Sequence, residues 1–367
     1  MRIVILGLSI TSSWGNGHAV TYRGLVKGLA ALGHAVTFLE RDVPWYAQNR
    51  DLPSPPWGAT FLYSSLDELH AAHASRVQNA DLVIVGSYVP DGIAVAEWVL
   101  DTARGLTAFY DIDTPVTLRD LEEQRSTYLT PSLVPRFDLY LSFTGGPTLD
   151  RLAALGAQAP RPLYCAVDPA GYAPAPSPWP RWELAYLGTW SADRQPALEA
   201  LLLDPARVRA TRRFCVAGPQ YPDDIDWPQN VERLVHVAPP DHAAFYGRQR
   251  FTLNLTRADM RKAGWSPSVR LFEAACAGAP ILTDAWDGLE AFFTPGEEIV
   301  VVRDAGDVLA VLDGMSDNDR RALAARARRR VLAEHTAAHR AATLVGYVHE
   351  RRGRGTTARR AAWPGSL

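Results

Sequence analysis

The sequence predicts an α/β protein built from two parallel-sheet domains, and three observations carry that prediction. Short apolar strands alternate with amphipathic helices from Arg2 to Cys165. A proline-rich stretch over residues 169–183 then interrupts the pattern, and the alternation restarts beyond it. Alternating strands and helices argue for a parallel sheet covered on both faces, and proline-rich composition marks a natural domain boundary.

In the first half, strands read at 2–10, 35–40, 82–87, 107–111, 138–143 and 162–165. Helices read near 19–32, 91–103, 116–127 and 147–155. The first connection, Thr11 to His18, is glycine-rich but lacks the GxGxxG dinucleotide fingerprint, which argues against a nicotinamide or flavin protein. In the second half, strands read at 184–188, 213–217, 231–236, 251–256, 280–284 and 299–302. An arginine-rich helical segment follows from about 317 to 352, and its arginines are expected to form a solvated face. The domain plan is therefore 1–168, a linker at 169–183, 184–335, a helix at 336–350, and a loose basic tail at 351–367.

Composition narrows the class. With 367 residues, 47% hydrophobic content and a net charge of −2, the chain has enough apolar material for a large core. It has no broad basic footprint for nucleic acid. No stretch is long and apolar enough to span a bilayer. Cys165, Cys215 and Cys276 are isolated and set among apolar residues, so they read as reduced core thiols of a cytoplasmic protein, with room for peripheral membrane association.

The stretch Gly264–Asp284 carries the clearest chemistry. Ser266 suits an N-cap, Pro267 the first helical position, and Gly278 with Pro280 the stop. Val269, Phe272 and Cys276 fall on one inward face, while Ser266, Arg270 and Glu273 share another stripe. A helix N-terminus with a hydroxyl and a guanidinium suits a phosphate, and a carboxylate one turn deeper suits a ribose diol. The plain alternative is that Arg270 and Glu273 form an ordinary surface pair.

The run SVRLFEAACAGAPILTD and its continuation GLEAFFTPGEEIVVV resemble the donor-binding segment of GT-B glycosyltransferases, closest to the CgeB-type (spore maturation) branch. That resemblance implies two Rossmann-like domains facing a cleft, with a C-terminal helix crossing back to the N-terminal domain. It implies that Arg270 and Arg194 face the donor pyrophosphate and Glu273 the ribose. Many retaining relatives carry a second glutamate eight residues before Glu273. Here that position is Trp265.

Strand-end loops extend the donor set to Gly15, Gly17, Arg194, Gly218, Arg257, Ser266 and Ser268. Three arginines at one sheet end would focus a positive field on a single crevice. Gly218 is expected to let a base approach the backbone. This half is read as holding no Asp-x-Asp metal motif, with Asp223, Asp224 and Asp226 lying in a proline-rich loop. Leaving-group charge is then expected to be met by side chains and helix dipole without metal.

In the first half the resemblance places a general base at His18, oriented by an acid about a hundred residues on, which selects Asp111 and Asp113. A carboxylate-oriented imidazole can take a hydroxyl proton during attack, and with Trp265 this favours inversion. Asp111 is expected to be the orienting partner. The alternative has His18 helping to cap its helix and Asp113 stabilising the cap at Thr114-Pro115. Trp45, Tyr46, Trp57, Tyr63 and Tyr88 are aromatic candidates for the acceptor, more commonly core residues.

The expected activity is metal-independent transfer from a nucleoside-diphosphate sugar to an acceptor hydroxyl, with no cofactor beyond that co-substrate. The acceptor is a glycan, a lipid-linked sugar or a small molecule. Alternatives are a sugar-nucleotide epimerase of the same architecture and a non-catalytic carbohydrate-binding assembly protein.

Overall fold

The computed structural model describes residues 1–175 and 180–361, with residues 354–361 as backbone. The chain divides into two compact units, Met1–Cys165 with the C-terminal segment from Ala337, and Ala166–Thr336.

Unit 1 carries β1 (Arg2–Gly7), β2 (Ala35–Arg41), β3 (Ala59–Tyr63), β4 (Leu82–Gly86), β5 (Leu106–Asp111), β6 (Leu139–Ser142) and β7 (Pro160–Pro162). They form one sheet in the order β3-β2-β1-β4-β5-β6-β7, with every pairing parallel. The order reverses between β1 and β4, so their carboxyl ends open a crevice where loops diverge. Ile3, Ile5, Leu82 and Ile84 face one core, while Val4, Leu6, Val83 and Val85 face the other. Both faces are apolar because helices cover both, as expected of buried parallel strands.

The helix Gly17–Ala31 meets the C-terminal helix Ala337–Ala361 along a glycine seam. A Cβ added at Gly24 would lie 3.0 Å from the Ala337 Cβ, and one at Gly28 would lie 2.8 Å from that of Ala341. This close approach places the last helix in unit 1. The basic tail expected at 351–367 is instead helical as far as Ala361, and residues 362–367 lie outside the described residues. The helical segment expected from about 317 to 352 is two helices, Asp317–Glu334 and Ala337–Ala361, broken at His335-Thr336, where the separate helix expected at 336–350 begins.

Unit 2 carries β8 (Trp182–Leu187), β9 (Phe214–Ala217), β10 (Val231–Leu234), β11 (Gln249–Asn254), β12 (Ile281–Thr283) and β13 (Val300–Val301). Their order is β10-β9-β8-β11-β12-β13, again all parallel, with the reversal between β8 and β11. Before β8, the linker is not loosely packed throughout, because Tyr172 is buried. Part of its proline run, residues 176–179, lies outside the described residues.

In unit 1 the strand β3 and the helices Pro44–Ala47 and Leu66–Gln78 are absent from the sequence reading. The edge strand β3 pairs only with β2 and buries just Tyr63, so it lacks a continuous apolar run. The helix Leu66–Gln78 buries Leu69, His73 and Val77, and its histidines and alanines dilute the apolar signal. The last strand of unit 1 sits at Pro160–Pro162 rather than at 162–165.

Candidate active site

In unit 2, Arg194 follows β8 and Arg257 follows β11, so both stand at the strand pair where the sheet order reverses. Arg194 is buried, with Nε donating to Ser191 Oγ at 2.8 Å and Nη2 to the Thr189 carbonyl at 2.6 Å. Arg270 is half-buried and donates through Nη1 to the Leu187 carbonyl at 2.8 Å and to the Tyr186 hydroxyl at 3.3 Å. Its guanidinium lies 5.7 Å from the Tyr186 ring centroid. Neither arginine forms an ion pair among the described residues; their partners are carbonyls and hydroxyls. Burial, and then the nearby Arg270, pushes the Arg194 guanidinium below its ordinary range. Two cations held close without a paired anion are poised to accept one.

Glycines create the room. A Cβ at Gly188 would lie 2.2 Å from Arg270 Nη1, so only glycine lets that guanidinium reach the end of β8. Gly218 has φ +144°, and a Cβ there would lie 2.0 Å from the Gly188 carbonyl oxygen. Its backbone is therefore packed against the chain's own carbonyl, which by itself requires glycine at this position. Arg257 is exposed and opens the short helix Ala258–Ala263. Buried Asp284 fixes the preceding turn, accepting from Thr256 Oγ1 at 2.9 Å. Asp193 accepts from the Ala258 N–H at 2.8 Å and is the carboxylate that feels Arg257 and Arg194.

The helix N-terminus needs a correction. The helix runs Val269–Cys276 with Ser268 as its N-cap, accepting from the Arg270 N–H at 3.3 Å. Ser266 and Pro267 precede it, and Ser266 is buried. The serine two residues later wins because a cap must sit next to the first helical residue to reach its free N–H groups. Glu273 does not stand on an open stripe either. It is buried, with Oε1 accepting from the Tyr172 hydroxyl at 2.6 Å and Oε2 4.0 Å from His242 Nδ1. Tyr172 and His242 were invisible as partners in the sequence, since each lies far along the chain.

Asp224 and Asp226 do have Asp-x-Asp spacing, but Asp226 Oδ2 pairs with Arg207 at 3.4 Å. Among the described residues no group of three or more His, Cys, Asp or Glu side chains is placed to hold a metal ion.

In unit 1, His18 lies in the first turn of the helix Gly17–Ala31, whose N-cap Asn16 accepts from the His18 N–H at 3.0 Å. Gly15 and Gly17 flank that cap with open space around their α-carbons. The carboxylate beside the imidazole is Asp113, 3.8 Å from Oδ2 to Nε2. The expected pairing of His18 with Asp111 is not what the structure holds. Asp111 is fully buried, accepting from Thr117 Oγ1 and from the Tyr140 hydroxyl, each at 2.7 Å. Burial pushes its carboxyl from an ordinary 3.8 up to about 6, with Asp113 adding to the rise. Asp113 is also the N-cap of the helix Thr114–Glu122, a role expected of Thr114, but its side chain makes no cap bond and turns toward His18.

His18 Nδ1 is buried with no hydrogen-bond partner, and Nε2 is too far from Asp113 for a direct bond. Nε2 is thus the ring nitrogen that faces a carboxylate, close enough for Asp113 to stabilise an imidazolium. Of the aromatic candidates, Tyr63 belongs to the core and Trp45 is exposed. Tyr88 touches His18 edge-on, with ring centroids 5.3 Å apart.

Two doubly wound parallel sheets, each with polar side chains at its point of reversal, define the GT-B fold. Residues 194–346 match the family model described as glycosyl transferase-like. No curated protein sequence matches the chain. Among solved structures, the chain is similar to the sucrose-phosphate synthase of Thermosynechococcus elongatus, at 14% identity and TM-score 0.68, covering 96% of this chain and 100% of that one. It is similar to Anabaena HepE in complex with UDP and glucose, at 12% identity and TM-score 0.70, covering 95% and 100%. An α-glucosyltransferase in complex with UDP is similar at 12% identity and TM-score 0.68, with the same coverage. Among the described residues no helix is long and apolar enough to cross a membrane.

Proposed function

We propose that this chain is a glycosyltransferase that moves a sugar from a nucleoside-diphosphate donor to an acceptor hydroxyl. The observation that carries the reading is the pair Arg194 and Arg270, two guanidiniums without ion-pair partners at the reversal of the unit 2 sheet. A pyrophosphate supplies the missing charge, and as the glycosidic bond breaks the same arginines neutralise the departing diphosphate. Charge on the leaving group is met by side chains, so the reaction runs without a divalent metal. The UDP complexes of HepE and of the α-glucosyltransferase make UDP-sugars the first donors to try.

On the acceptor side, His18 Nε2 takes the hydroxyl proton and Asp113 stabilises the resulting imidazolium. Glu273 acts behind the donor site, its carboxylate fixed by Tyr172. The CgeB-type branch is the relationship that the motif around Arg270 supports.

The test is release of nucleotide from single nucleotide sugars, with and without pools of glycan, lipid-linked and small-molecule acceptors, in chelator. Acceptor-dependent release in chelator is the expected result. Release that needs added magnesium or manganese would remove the metal-free part of the reading, and no release from any donor would remove the whole.

A further inference from the structure

The loop after β4 holds two non-glycine residues in the left-handed region, Tyr88 at φ +61° and Asp91 at φ +55°. Such a backbone favours glycine, and a bulky residue stays there only where its surroundings dictate it. This loop leaves the sheet beside β1, at the reversal of strand order, and faces the first turn that carries His18.

We propose that Tyr88 is a positioning residue of the His18–Asp113 site: its strained backbone sets the ring against the imidazole and ties its hydroxyl to a buried chain anchored on Asp111. The proposal rests on the reading of His18 given above. The His18 and Tyr88 rings meet at 77° with centroids 5.3 Å apart, an edge contact that restricts the plane in which the imidazole faces Asp113. Tyr88 packs on Tyr128 with centroids 4.7 Å apart and hydrogen-bonds it. The Tyr128 hydroxyl lies 2.8 Å from Thr117 Oγ1, which donates to Asp111 Oδ1 at 2.7 Å. Tyr140 closes the chain on Oδ2.

The loop cannot relax away from this arrangement. The Ser87 N–H donates to the Tyr110 carbonyl at 3.0 Å, and Ser87 Oγ accepts from the Ile112 N–H at 3.1 Å. At its far end, Gly92 sits so close to Tyr128 that an added Cβ would lie 2.6 Å from the Tyr128 Cβ. The end of β5 and the loop after β4 are thereby held together, and the Tyr88 ring carries that contact to the first turn of the helix Gly17–Ala31.

The test uses the full chain with ¹⁵N-labelled histidine, following the His18 imidazole by NMR titration in the absence of substrate, with the signal assigned by its loss in His18→Ala. In Tyr88→Ala the His18 midpoint is expected to fall by about 0.5 pH unit or more, because the imidazole is no longer held where the Asp113 carboxylate stabilises its charge. Turnover is expected to fall about 10–100-fold while the donor KM stays unchanged, because misplacement of the base affects only the attack. Tyr88→Phe keeps the ring and is expected to return the midpoint most of the way. Tyr88→Gly, whose backbone suits this φ, serves as a second folded variant should Tyr88→Ala fail to fold. An unmoved His18 midpoint in the folded variants would overturn the proposal. Since the titration needs no donor, failure of the transferase reading is seen separately, as absence of nucleotide release from the unmodified chain.

Discussion

His18 and Asp113 stand 3.8 Å apart, Nε2 to Oδ2, at the carboxyl end of the unit 1 sheet. The separation is too long for a hydrogen bond between them and short enough for the carboxylate to stabilise a protonated ring. His18→Ala should lower turnover by roughly 10²–10⁴-fold and leave nucleotide affinity unchanged, because the base acts only as the acceptor attacks. Asp113→Asn should lower kcat more than Asp111→Asn does. Steady-state kinetics of the three variants checks the order.

Asp111 makes a prediction about stability and pH. Its folded-state carboxyl is raised to about 6 from an ordinary 3.8, chiefly by burial. The folded state therefore binds this proton more tightly than the unfolded chain does. The group's contribution is fully favourable below pH 4 and is lost as pH rises through 6, amounting to about 3 kcal/mol if the whole shift is realised. Thermal unfolding of wild type and Asp111→Asn between pH 5 and pH 7.5 should show wild type gaining on the variant as pH falls. A constant or reversed difference would remove the assignment.

Glu40 is the buried anchor of the loop that carries His18. Its carboxylate accepts from Ser9 Oγ at 3.0 Å, Thr11 Oγ1 at 2.6 Å, the Ile10 N–H at 2.7 Å and the Thr11 N–H at 3.0 Å. Glu40→Ala removes the shared acceptor of those four buried donors, a loss of about 3 kcal/mol or more. Glu40→Gln should retain part of that stability, since its carbonyl oxygen still accepts. Denaturant unfolding measures both.

The parallel architecture and most strands were legible because buried strands are continuous apolar runs such as Ile3–Leu6 and Leu82–Val85, and the linker prolines mark a break. The edge strand Ala59–Tyr63 was not, since one sheet neighbour and a half-exposed face leave no such run. Arg194 and Arg270 were readable as strand-end and helix-start cations. That their hydrogen-bond partners are carbonyls and hydroxyls, with Asp193 and Glu273 nearby but in no ion pair with them, was not, because it depends on what lies across the sheet. The choice between Asp111 and Asp113 also needed coordinates: two residues apart on the end of a strand, one turns into the core and the other toward His18. The Glu273–Tyr172 bond joins positions about a hundred residues apart, beyond any local pattern.

The central claim is that Arg194 and Arg270 form the diphosphate site of a sugar donor, and calorimetric titration of UDP and other nucleoside diphosphates tests it most directly. Wild type should bind at one site, with affinity falling as salt is raised. Arg270→Ala should weaken binding by about 1.5–3 kcal/mol, the worth of a charge-assisted hydrogen bond. Arg194→Ala should weaken it comparably. Absence of binding by every nucleoside diphosphate, or affinity unchanged in both variants, would contradict the account.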